Sequence, residues 1–97
     1  MQVSATGIAW YRAQDYDRLK ATFTDGWKLP DTFESWQRSA QNLYDKLTNE
    51  GLVVVKAYID PNTFPEWCRA NGMEMNAKAR MRFANDCAAE HHRTKAQ

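Results

Sequence analysis

The chain has 97 residues, a net charge of +1, 43% hydrophobic and 12% aromatic side chains, and a sequence pI near 7.8. That length is one domain near the small end of what folds without staples. The near-neutral balance excludes a global pull toward nucleic acid or anionic membrane.

From the N-terminus, VSATGIAWYR (3–12) alternates as a strand does, with Ile8 and Trp10 on one face and Ala9 and Tyr11 on the other. AQDYDRLKATF (13–23) follows at helical spacing, with Tyr16, Leu19 and Phe23 on one stripe, and Asp25-Gly26 closes it. After the loop GWKLP comes a longer helix, with Asp31 as cap, Glu34 completing a capping-box-like pattern, and Gly51 as its left-handed end. Its expected apolar stripe is Phe33, Trp36, Ala40, Leu43 and Leu47.

LVVVKAYI (52–59) is rich in β-branched residues and reads as the second strand, with Lys56 on its more polar face and Asp60-Pro61 ending it. A short helix through TFPEWCRAN turns Phe64, Trp67 and Cys68 inward and stops at Gly72. Asn76 then caps a last helix from Ala77 to about Arg93. Its expected apolar arc centres on Ala77, Met81, Ala84 and Ala88, with Phe83, Cys87 and His91 on or beside it.

The expected fold is a small α+β domain of order β-α-α-β-α-α, a two-stranded sheet covered by about four helices. A single domain fills the chain, ordered from about residue 3 to 93, with flexible tails. Two strands alone are marginal, and a free edge invites pairing. Two copies joined edge to edge into a four-stranded sheet would answer both problems, so a homodimer is expected.

The phrases GIAWYR, LPDTFESW, GLVVVKAYIDP, WCRANG and AKARMRFA, spread over nearly the whole chain, resemble a set of small bacterial proteins of uncharacterised function. The resemblance implies a bacterial or mobile-element origin and transfers no residue roles.

Several residue sets could carry chemistry. Cys87 and His91 stand four apart, as paired ligands on one helix face must, with His92 and Cys68 as further suppliers. No CxxC, HxxxH or HExxH spacing supports them, and a thiol on an apolar arc is an ordinary small hydrophobe. No metal and no cofactor are expected. Cys68 and Cys87 are expected as free thiols in a reducing compartment.

Residues 69–97 carry six basic and three acidic side chains, against seven and nine in residues 1–68. Lys78, Arg82 and Arg93 are therefore the nucleic-acid contacts to consider. Asp86 and Glu90, on the same face as Arg82, are expected to neutralise it. Arg80 falls toward the apolar side, stem packed and head reaching out.

If the strands are parallel, Arg12 and Asp60 leave the sheet at the same end. Trp10, Tyr11 and Arg12 would then frame a small-ligand or catalytic mouth, with a plain surface ion pair as the simpler outcome. No nucleophile with its base is spaced for catalysis, so no enzyme is expected.

What remains is a protein-binding module, a small regulator or inhibitor, with Trp27 and Lys28 in the loop and Tyr11 and Arg12 as contact residues. The simpler alternative for Trp27 is a lid folded over the core. No run opening the chain has the form of a secretory signal. The longest strongly apolar run, residues 52–55, is far short of the roughly twenty needed to cross a bilayer. A cytoplasmic protein is expected.

Overall fold

The computed structural model describes residues 5–95, with side chains through His91. The expectations for the two chain ends, for Val3 and Ser4 in the first strand, and for the His92 and Arg93 side chains lie outside the described residues.

Two strands, β1 (Ala5–Trp10) and β2 (Val53–Tyr58), pair in parallel, with Ala5 opposite Val53 and Trp10 opposite Tyr58. Helices α1 (Tyr16–Thr22) and α2 (Phe33–Asn49) connect them, and α3 (Phe64–Ala70) and α4 (Ala77–Lys95) follow. The chain is thus the expected small α+β domain. Single 3-10 turns at Ala13–Asp15 and Gly26–Lys28 complete the path.

Side-chain size decides how the layers meet. Ala5, Gly7 and Ala9 share one face of β1, and Ala57 of β2 stands beside Ala9. A Cβ on Gly7 would lie 2.0 Å from the Ala84 carbonyl oxygen, so α4 rests its backbone directly on this strip of small residues. The opposite face carries Trp10, whose ring meets Trp36 at 5.2 Å and Tyr44 at 6.3 Å, both on α2. The Lys56 ammonium lies over the Trp10 ring at 4.3 Å and the Tyr44 ring at 4.9 Å. Lys56, expected on the more polar face, lies instead on the aromatic face beneath α2, where two aromatic quadrupoles stabilise its charge.

Three local expectations are corrected. Thr32 caps α2: its hydroxyl accepts from the Ser35 amide at 3.2 Å. Glu34 then falls one position short of a capping box, and Asp31 lies outside the helix. On α2 Tyr44 packs inward while Leu43 is 45% exposed. On α4 the buried set is Ala79, Arg80, Ala84 and Ala88, whereas Met81 is 65% exposed and Ala77 is exposed.

Other boundaries hold. Asn76 accepts from the Ala79 amide at 3.1 Å, and Gly51 and Gly72 take positive φ of 91° and 63° at the ends of their helices. Trp67 stacks on Phe64 at 5.8 Å and meets the Phe83 edge at 5.3 Å, closing the core between α3 and α4.

Candidate functional site

The turn after α1 is tied down on both sides and carries the most exposed large hydrophobic side chain among the described residues. The Gly26 amide donates to Phe23 O at 3.1 Å, Lys28 to Asp25 O at 3.0 Å and Leu29 to Gly26 O at 3.0 Å. A Cβ on Gly26 would lie 1.8 Å from the Lys20 carbonyl oxygen, so the turn is pressed against α1. On its other side the Thr24 amide donates to Met75 O at 2.9 Å.

Asp25 fastens the turn to α4. Its carboxylate accepts from Arg80 Nη1 at 2.8 Å, Arg80 Nη2 at 3.1 Å and the Ala77 amide at 3.0 Å. The two charged side chains are 15% and 10% exposed, and the Arg80 guanidinium lies 4.5 Å over the Phe23 ring. The hydrogen bonds from Arg80 hold the Asp25 carboxyl below its ordinary value of 3.8, against the opposing effect of burial. Arg80 therefore does not reach outward as expected; its charge is satisfied inside.

From this fixed turn Trp27 projects, 77% exposed, with the Lys28 ammonium 5.3 Å from its ring. The lid alternative is excluded by that exposure. Tyr11, expected beside it as a contact residue, is 3% exposed and is corrected to the core. The strand ends at Trp10, and Tyr11 turns in against Trp36 at 4.6 Å and Phe23 at 5.8 Å. Burial pushes its hydroxyl up to about 12.

Because the strands are parallel, Arg12 and Asp60 do leave at the same end. They do not meet there. The Arg12 guanidinium stacks 4.5 Å over the Tyr58 ring, while Asp60 accepts from the Asn62 amide at 2.8 Å and shapes its own turn. Trp10 is 3% exposed, so the aromatic mouth expected at that end reduces to Tyr58 and Arg12.

On α4, Lys78 and Arg82 are exposed. Arg82 donates to the Met73 sulfur at 3.8 Å, and no ion pair joins it to Asp86 among the described residues. Cys68 is buried and Cys87 half-buried, both as free thiols, and burial raises both above the ordinary thiol range, with Asp86 adding to the shift at Cys87. Among the described residues no group of three or more His, Cys, Asp or Glu side chains could hold a metal ion.

Below the turn lies a surface cavity of about 300 Å³, lined by Pro65, Cys68, Met73 and Met75 with Thr24, Arg69 and Glu74. Sequence reasoning missed both this cavity and the Asp25–Arg80 pair. Arg80 on an apolar arc was the one signal that could have found the pair, since a guanidinium there needs an acidic partner. No protein-family model, curated protein or solved structure matches the chain. Among the described residues no helix is long and apolar enough to cross a membrane.

Proposed function

We propose that the chain acts without catalysis, by binding another protein through the Trp27–Lys28 turn, as a small bacterial or mobile-element regulator or inhibitor. The observation that carries this reading is a tryptophan 77% exposed on a turn pressed against α1 and hydrogen-bonded to Met75 and α4. An indole buries about 150–250 Å² when covered, and tryptophan is enriched among residues that dominate interfaces. A turn already fixed loses little conformational entropy when a partner closes on it. The two free thiols suit a reducing cytoplasm.

Trp27→Ala tests the reading. The variant should keep the wild-type melting temperature, because Trp27 contributes little to the core. Affinity capture from the source organism should recover a defined partner with the wild-type chain and lose it with the variant. Equal recovery by both would overturn it. The two-strand sheet order favours a separate contact, edge pairing of two copies. Sedimentation at micromolar concentration should then show a dimer, and a pure monomer removes that proposal.

A further inference from the structure

We infer that the cavity beneath the Trp27 turn takes one apolar side chain of an acidic segment of the partner. This rests on the protein-binding reading and says what chemistry the partner presents.

Size comes first. Clefts that hold whole small molecules run from about 300 to 1,000 Å³. A cavity of about 300 Å³ stands at the bottom of that range and suits a single side chain of leucine, methionine or phenylalanine. Its lining is adaptable: Met73 and Met75 are unbranched thioethers, which repack around different apolar guests. Position comes next. Thr24 lines the cavity, and Trp27 is three residues further along the same turn, so their Cα atoms lie within roughly 11 Å of each other. One bound segment can fill the cavity and lie across the indole.

Charge selects the segment. Asp25 is closed by Arg80, and Glu66 by Arg69 at 2.6 Å. Two further cations have their charged heads beside the turn and cavity: the Lys28 ammonium 5.3 Å from the Trp27 ring and the Arg82 guanidinium 3.8 Å from the Met73 sulfur. Against them Glu74 stands on the cavity wall. Cations on the rim of an apolar site attract acidic flanks and repel basic ones.

The probe is a short blocked peptide of Asp, Glu and Ser with one central Leu. Controls replace Leu by Ser, or Asp and Glu by Asn and Gln, and a DNA duplex of equal charge is titrated beside them. Binding is read from the ¹³C methyl signals of the methionines, assigned by substitution, and from backbone amide shifts.

The Leu peptide should move the Met73 and Met75 methyls saturably. Affinity should fall about tenfold or more when Leu becomes Ser. A similar loss is expected in a Lys28→Glu, Arg82→Glu variant, whose exposed positions leave folding intact. Met75→Glu, checked by melting temperature, should weaken the peptide equally.

Three results would overturn the inference: unmoved methionine methyls, equal binding of the Ser peptide, or tighter binding of the duplex. The last, with shifts confined to the outer face of α4, would favour nucleic acid through Lys78 and Arg82. If capture of the natural partner still needs Trp27 while the peptide fails at the cavity, this inference falls and the protein-binding reading stands. If the peptide fills the cavity but Trp27→Ala captures the partner normally, the role given to Trp27 falls instead.

Discussion

Asp25 is the residue on which the largest single effect converges, because one carboxylate satisfies a buried guanidinium and an orphan helix amide together. Removing one partner of a buried pair leaves the other charge unsatisfied, which typically costs about 3–5 kcal/mol. Asp25→Asn and Arg80→Met should each lower stability by that order in urea unfolding. The pair's pH dependence has a definite sign. Asp25 is held below 3.8 in the folded chain, so its contribution is fully present above that value and is lost as pH falls through the lower folded value. Acid unfolding of the wild type should therefore steepen below about pH 4, and Asp25→Asn should flatten that limb. Tyr11 acts at the other end. Its hydroxyl is raised to about 12, so stability is complete below its ordinary value of 10 and declines as pH climbs toward 12. Phenolate absorbance followed with unfolding should show both together. Gly7 gives a steric test: Gly7→Ala drives a methyl into the Ala84 carbonyl and should cost about 1–3 kcal/mol or more.

At the scale of elements, two neighbouring positions just before α2 make an internal control. Thr32→Ala removes the hydroxyl that accepts from Ser35 and should cost about 0.5–2 kcal/mol, whereas Asp31→Ala should stay within about 0.5 kcal/mol. Chemical denaturation of the two variants checks the pair. The same region shows how much was legible beforehand. Both strands, the long helix and the glycine stops were readable because alternation, β-branched runs and positive-φ demands are local properties. The cap slipped by one residue because aspartate and threonine are both good caps, and only the backbone path chooses between them. The rotation of α4 was misjudged for a different reason. A wheel built on polarity places Arg80 at the margin and Met81 at the centre. A partner 55 residues away reverses that order, and no local pattern announces it. Trp27 was visible as a tryptophan no stripe required. The cavity was not, since its lining comes from Thr24 and two later segments.

The whole molecule solves the problem of a two-stranded sheet with helices on both faces. α4 lies on the small-residue face and α2 on the aromatic face, which is the helix cover that makes so few strands sufficient. The expected dimer is therefore a question about edges rather than a condition of folding. The joint between Asp25 and Arg80 carries one more consequence, in the order of events as the chain folds. A contact across 55 residues closes only after the intervening loop entropy has been lost, while the helical stripes on either side form from nearby residues. The joint should therefore be missing from the folding transition state. Stopped-flow measurements on Asp25→Asn should show nearly unchanged refolding and much faster unfolding. The turn bearing Trp27 would then lock late in folding and let go early in unfolding.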